Sequence, residues 1–235
     1  MKSKNETYIL FSPKAKQKFE EFLRGFAPKK GDNRMKGNIL VVSGPSGSGK
    51  STLMHEMIKR IDNTYFSIST TTREKRISEV EGKDYFFISK DEFKKGIEEG
   101  NFLEWARVHD NYYGTSLKPI LKELSNGKMV IFDIDVQGHK IAKEKFGNII
   151  TSVFVTTPNL EILKERLIQR GTDSPESIER RLNNAISEMT RIKEYDFLLV
   201  NDYFDKTLES LVSIAYASKN RISSLNTEEF ISSWI

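Results

Sequence analysis

The sequence predicts an α/β fold built on a central parallel sheet, and three observations predict it. From residue 38 onward, short runs rich in β-branched residues alternate with stretches at helical spacing, as in chains whose crossover helices join parallel strands. Gly44-Pro45-Ser46-Gly47-Ser48-Gly49-Lys50-Ser51-Thr52 has the form G-x-x-x-x-G-K-[ST], set between a strand-like run and a helical one. A second apolar run, Met129-Val130-Ile131-Phe132-Asp133-Ile134-Asp135, ends in two carboxylates.

The elements follow in order. Asn38-Ile39-Leu40-Val41-Val42 reads as a buried strand. Ser51 to Arg60 reads as a helix, with Leu53, Met57 and Ile58 near helical spacing. Phe66-Ser67-Ile68-Ser69 and Tyr85-Phe86-Phe87-Ile88 are strand candidates, separated by the polar run Thr70 to Lys83. Ser89-Lys90-Asp91-Glu92 has the capping-box form and opens a helix to about Glu99. Asn101 to Val108 and Tyr112-Tyr113 flank His109-Asp110-Asn111, a hairpin signal. A helix from about Ser116 to Leu124 ends at Asn126-Gly127. The Met129–Asp135 strand is followed by a strand over Ile149 to Thr156, a helix over Leu160 to Gln169 and a loop, Arg170 to Glu176. Ser177 to Ile192 is a long helix, Phe197-Leu198-Leu199-Val200 the last strand, and Leu208 to about Tyr216 lies in the last helix.

Composition bounds the function. The 235 residues suffice for one α/β domain with a core, with or without an appendage. No apolar run approaches the roughly 18 residues of a membrane span, and the N-terminus lacks the apolar core of a secretory signal. With no cysteine, disulfide and thiolate chemistry are excluded, which fits a cytoplasmic protein. His55, His109 and His139 show no ligand spacing and read as structural or solvent-facing. The formal charge of +4 is unevenly spread: residues 1–36 carry ten basic and four acidic residues, leaving 27 basic and 29 acidic in the remainder. The body is therefore no nucleic-acid-binding surface by charge. Within the basic segment, Tyr8-Ile9-Leu10-Phe11 is an apolar patch, Lys14 to Phe26 has Phe19, Phe22, Leu23 and Phe26 at helical spacing, and Pro28 to Arg34 reads as a linker.

The glycine loop carries the first chemistry. Glycines let the backbone wrap a phosphate chain with N–H groups inward, and the following helix adds unpaired donors and a partial positive charge. Lys50 is expected to reach the β- and γ-phosphates, and Ser51 to offer its hydroxyl to Mg²⁺. The second element at that metal is expected to be an acid at the end of an apolar strand, and Asp133 fits. In an extended strand, Asp135 would point the same way as Asp133, and two like charges so placed need a cation or a ligand donor. Arg73 and Arg76 stand in a hydroxyl-rich turn, and Arg166, Arg170, Arg180 and Arg181 cluster around a glycine-containing loop. Arginine forks bind phosphate in a bidentate way, and surface ion pairs explain these residues as well when each is taken alone.

Taken together the motifs say more. Gly44–Thr52, Ser69-Thr70-Thr71-Thr72-Arg73 with Arg76, Glu79-Val80-Glu81-Gly82-Lys83-Asp84-Tyr85 with Phe87, Phe102-Leu103-Glu104-Trp105-Ala106, Asn111-Tyr112-Tyr113-Gly114-Thr115 and Asp133-Ile134-Asp135-Val136-Gln137-Gly138 closely resemble guanylate kinase, in that family's order and spacing. Arg170-Gly171-Thr172 and Val200-Asn201-Asp202 extend the likeness, which covers roughly residues 38–220. Thr115 stands where the family commonly has serine and keeps the hydroxyl. Lys75, Ile77 and Ser78 replace smaller or proline-containing residues, and the N-terminal extension has no counterpart in the family core.

The resemblance implies a P-loop NTPase core with a central parallel sheet, an inserted mixed α/β GMP-binding region and a helical lid. It divides the chain into a basic extension at 1–36, a domain at 37–222 and a tail at 223–235. Within the domain the core is 37–69 and 117–222, the insertion 70–116 and the lid about 166–181. It implies ATP binding by Gly44 through Thr52 and Asn201. GMP phosphate would be held by Arg73, Arg76, Tyr85 and Tyr113, and guanine read by Ser69, Glu104, Thr115 and Asp135. Lys50, Arg166, Arg170 and Arg181 would be catalytic, with Mg²⁺ at Ser51 and Asp133. The implied reaction is phosphorylation of GMP, and dGMP, by MgATP in purine metabolism, with no nucleic-acid or membrane partner and a homo-oligomer left open. The alternative is a catalytically silent guanylate-kinase-like module that binds protein. The intact Gly49, Lys50 and Ser51 argue against it, and Glu104 and Asp135 argue against a kinase for a substrate without guanine.

Overall fold

The computed structural model describes residues 37–235 except Ser78, His109, Thr172, Leu225 and Asn226; of the first 36 residues it describes Gln17. The apolar patch, helix and linker expected over residues 8–34 lie outside the described residues.

The described chain forms two compact units. One comprises residues 37–65 and 128–225; the other holds residues 66–127 and the C-terminal 226–235.

The first unit is built on a five-stranded sheet. Its strands are β1 (Asn38–Ser43), β2 (Thr64–Phe66), β7 (Met129–Asp133), β8 (Ile150–Thr156) and β9 (Phe197–Val200), in the order β2-β7-β1-β8-β9. β1 pairs in parallel with β7 and β8, and β8 with β9, which bears out the predicted parallel sheet. β1 is buried along its whole length, with Ile39, Leu40, Val41 and Val42 fully out of water. A central strand covered on both faces needs such an uninterrupted apolar run. Helices α1 (Lys50–Ile58), α4 (Val136–Phe146), α5 (Leu160–Gln169), α6 (Pro175–Met189) and α7 (Phe204–Lys219) complete the unit. α1 buries Leu53, Met54 and Met57, and α7 packs on α1 and β1. α5 and α6 share a small core of Leu163, Leu167 and Ala185, with Ile178 and Leu182 against it.

The second unit carries a four-stranded sheet, β4-β3-β6-β5, from β3 (Ser69–Thr71), β4 (Phe86–Phe87), β5 (Phe102–Val108) and β6 (Asn111–Ser116). α2 (Lys90–Glu98) and α3 (Leu117–Ser125) accompany it. The Ser89 capping box forms: its hydroxyl accepts from the Glu92 N–H at 3.2 Å, and Glu92 Oε2 accepts from the Ser89 N–H at 2.8 Å. Phe93 stacks on Phe102 at 4.2 Å and on Tyr112 at 5.3 Å.

Several boundaries differ from expectation. The single strand read at Phe66–Ser69 is two strands of different sheets, β2 and β3, broken at Ser67-Ile68. The strand read through Asp135 stops at Asp133, because Asp135 caps a helix, α4, that the sequence reading did not anticipate. The buried stripe of α4 includes Gly138 and His139, residue types that do not register as apolar. α6 begins at Pro175 and ends at Met189, and a short helix α8 (Thr227–Ser232) follows α7. No helix among the described residues is long and apolar enough to cross a membrane.

Candidate active site

The glycine loop between β1 and α1 has the strained backbone its sequence requires. Gly44 holds φ +136°, and a Cβ there would lie 2.0 Å from the Val155 carbonyl oxygen. Gly49 holds φ +90°, and a Cβ would meet Asn201 Nδ2 at 2.4 Å. Neither position admits a side chain. Lys50 Nζ donates back to the Gly44 carbonyl at 2.6 Å, so its ammonium lies along the loop. Ser51 and Thr52 follow in the exposed first turn of α1.

Three predicted residues from distant parts of the chain converge on this loop. Asn201 Nδ2 donates to the Ser48 carbonyl at 2.8 Å, a buried contact that anchors the loop floor. Arg166 Nη2 donates to the Asn201 carbonyl at 2.8 Å. Arg181 Nη1 donates to Ser46 Oγ at 2.6 Å, while its Nε and Nη2 hold Asp173 Oδ1 at 3.1 and 3.0 Å. Arg170, at the end of α5, is exposed; it acts on Asp173 through charge.

Asp133 pairs in register with Val42, which puts its carboxyl at the end of β7 beside the entry to the loop. It reaches the surface, yet the surrounding protein removes enough water to push its pKa up, and the Lys50 ammonium pulls it back. Asp135 does not align with Asp133 as an extended strand would require: its Oδ1 accepts from the N–H groups of Gln137 and Gly138 at 3.0 and 2.8 Å. Glu188, on α6, has a charge interaction with Lys50 that sequence reasoning missed. It is half-buried, desolvation raises its pKa, and the charges of Lys50 and Asp135 both act on it. A glutamate within a long helix gives no sequence signal of such a position.

In the second unit, three strands bring Ser69, Glu104, Tyr113 and Thr115 to one sheet face. Ser69 on β3 pairs with Thr115 on β6, and Thr71 pairs with Tyr113. Thr115 Oγ1 donates to Glu104 Oε1 at 2.6 Å, so Ser69, Thr115 and Glu104 form one polar row. The opposite face at Gly114 is closed by Phe93, whose ring would lie 3.0 Å from a Cβ there. One residue along, Tyr113 and Tyr85 meet edge to face at 6.1 Å, and Arg73 lies over the Tyr85 and Phe87 rings at 5.5 and 5.7 Å. Burial raises the Tyr85 pKa. Arg76 is exposed. Arg73 is also held by Glu79, with Nη2 to Oε1 at 2.6 Å and Nη1 to Oε2 at 3.0 Å. The Arg73 hydrogen bonds hold the Glu79 carboxyl below its ordinary pKa. Sequence reasoning missed this role too, although a carboxylate six residues after an arginine in a polar loop is a weak signal for it.

The chemistry of each unit is distinct. The first offers a glycine nest, a lysine, three arginines and a carboxylate, as a polyphosphate requires. The second offers a carboxylate with two hydroxyls for a donor-rich base edge, next to an arginine and two tyrosines for an anion. A family model for guanylate kinase matches residues 36–218. A guanylate kinase of Helicobacter pylori is 52% identical over 197 residues, covering 84% of this chain and 95% of the relative. One of Wolinella succinogenes is 51% identical over 201 residues, covering 86% and 94%. The crystal structure of guanylate kinase from Anaplasma phagocytophilum superposes with a TM-score of 0.65 at 29% identity, covering 81% of this chain and 90% of that one.

Proposed function

This chain belongs to the guanylate kinase family, and from that premise we propose that it transfers the γ-phosphoryl group of MgATP to GMP, and to dGMP, giving ADP and GDP or dGDP. The observation that carries the reading is the pairing of two chemistries in one chain. A P-loop is anchored by Asn201 and touched by Arg181, and a carboxylate–hydroxyl row at Glu104, Thr115 and Ser69 lies next to Arg73.

Guanine presents N1–H and the N2 amino group as adjacent donors, and one carboxylate accepts both. Adenine offers no such pair, so Glu104 would lose a partner and discriminate against it. Ser69, Thr115 and Asp135 add acceptors and donors for the base. Arg73, Arg76, Tyr85 and Tyr113 hold the GMP phosphate. Gly44 to Thr52 and Asn201 hold ATP.

No general base is needed, because the attacking phosphate oxygen of GMP is already ionised. The new P–O bond forms as the bond to the ADP oxygen breaks, and charge builds on the transferred group and the leaving oxygen. Lys50, Arg166, Arg170 and Arg181 meet that charge; Arg166 and Arg181 are already held by the Asn201 carbonyl and Ser46, so these two require little reorganisation. Ser51 and Asp133, the latter through water, are the ligands for Mg²⁺. An all-oxygen set of a hydroxyl and a carboxylate suits this hard cation. When bound, the ion neutralises charge on the β- and γ-oxygens of ATP.

The test is ADP formation by purified protein with MgATP, comparing GMP with AMP, CMP, UMP and no acceptor. Turnover with GMP alone, or GMP far above the rest, is expected. A folded protein that binds GMP and turns over no acceptor would instead be the silent binding module.

A further inference from the structure

We infer that Glu79 is the positioning residue of the phosphate-binding loop, fixing Arg73 so that it meets the GMP phosphate with its Nε–Nη2 edge. The inference rests on the reading of Arg73 and Arg76 as ligands of that phosphate.

A guanidinium has five N–H donors in a rigid plane, so the partners already taken define the edge left over. Glu79 occupies the end of the Arg73 fork, accepting from Nη2 at 2.6 Å and Nη1 at 3.0 Å. The second Nη1 hydrogen is used as well, since Nη1 also donates to the Glu74 carbonyl at 2.7 Å. Beyond these two acceptors there remain Nε–H and one hydrogen on Nη2, which lie on the same side of the plane, and the Tyr113 hydroxyl also hydrogen-bonds the guanidinium. Two parallel donors with that spacing match two oxygens of a phosphate.

Glu79 also reaches the second arginine. Its Oε2 accepts from the Arg76 N–H at 2.8 Å, and its own N–H donates to the Arg76 carbonyl at 3.1 Å. One carboxylate thus ties the side chain of Arg73 to the backbone of Arg76. The pair is shielded, with side-chain exposures of 17% for Arg73 and 14% for Glu79. The Tyr85 and Phe87 rings under the guanidinium hold its plane. Without Glu79, Arg73 recovers several rotamers, and binding must re-order them.

A carboxylate close to a phosphate also repels it, so the sign of the net effect decides between positioning and competition. Glu79→Gln keeps the size and removes the charge and one acceptor of the fork. Steady-state kinetics with GMP and ATP varied in turn should show KM for GMP raised by at least about tenfold, KM for ATP within about twofold and kcat changed by less than about threefold. In an Arg73→Ala background, Glu79→Gln should add nothing to KM for GMP, because its effect runs through that guanidinium. Glu79→Asp, which keeps the charge but shortens the fork, should also raise KM for GMP, and it serves if Glu79→Gln does not fold. A KM for GMP that is unchanged or lower in these variants, while the unaltered protein phosphorylates GMP, overturns the inference alone. An unaltered protein that neither binds nor phosphorylates GMP overturns the reading on which it rests.

Discussion

Thr115 Oγ1 donates to Glu104 Oε1 at 2.6 Å, linking adjacent strands. Thr115 is buried, so this bond is shielded and fixes the carboxylate before any base arrives. Glu104→Gln replaces an acceptor oxygen with an N–H₂ that faces the guanine donors. A hydrogen bond to a charged group contributes about 1.5–3 kcal/mol, so KM for GMP should rise roughly ten- to hundredfold. Preference for GMP over IMP, which lacks the N2 amino group, should shrink. Unchanged KM and unchanged preference would remove Glu104 from base recognition.

Much of this arrangement is legible in the chain, and the reasons are local. Lys50 and Asp133 announce themselves because a glycine loop and a strand-end acid are set by backbone geometry over a few residues. The Phe197–Val200 strand and the Leu160–Gln169 helix also match their sequence patterns. Asp135 misleads, because its helix-capping role depends on where β7 stops, and the apolar run continues through Ile134. Helix α4 is hidden because Gly138 and His139 occupy its buried stripe. Glu79 and Glu188 matter through partners, Arg73 in one case and Lys50 in the other, and pairwise proximity of that kind is written in tertiary structure.

Lys50 Nζ lies 2.6 Å from the Gly44 carbonyl, held along the glycine loop. Lys50→Ala removes the charge without disturbing a packed core, since the residue opens α1 and is partly exposed. Loss of one preorganised donor at a developing charge costs about 10²–10³ in kcat. The expected result is a folded protein with an unshifted thermal midpoint and kcat down by at least about a hundredfold. Retained turnover would show that the loop holds ATP without using this ammonium.

Asn201 is buried and serves three contacts: its amide to the Ser48 carbonyl at 2.8 Å, its N–H to the Thr156 carbonyl at 2.7 Å and its carbonyl to Arg166. Asn201→Ala keeps the two backbone contacts and strands the Ser48 carbonyl. An unsatisfied buried acceptor costs about 1–3 kcal/mol, which urea unfolding should register. Because that carbonyl belongs to the glycine loop, KM for ATP should rise more than KM for GMP. Equal changes in both KM values would place the effect in general stability.

His139 is fully buried, its two ring nitrogens lack hydrogen-bond partners among the described residues, and its ring stacks on Tyr195 at 3.9 Å. Burial is the main reason its pKa falls from 6.5 to about 4. The unfolded chain keeps an ordinary value near 6.5, so it takes up this proton at a higher pH than the folded state does. Stability linked to the neutral imidazole is therefore complete above about pH 6.5 and is lost as pH falls toward 4. The amount is on the order of 3 kcal/mol, one pKa unit being worth about 1.4 kcal/mol. His139→Phe preserves the aromatic stack and removes the titration. Urea unfolding at a series of pH values should show a steeper decline between 6.5 and 4 for the unaltered protein than for the variant. Parallel curves would mean that His139 titrates alike in the folded and unfolded protein and that burial does not hold it neutral.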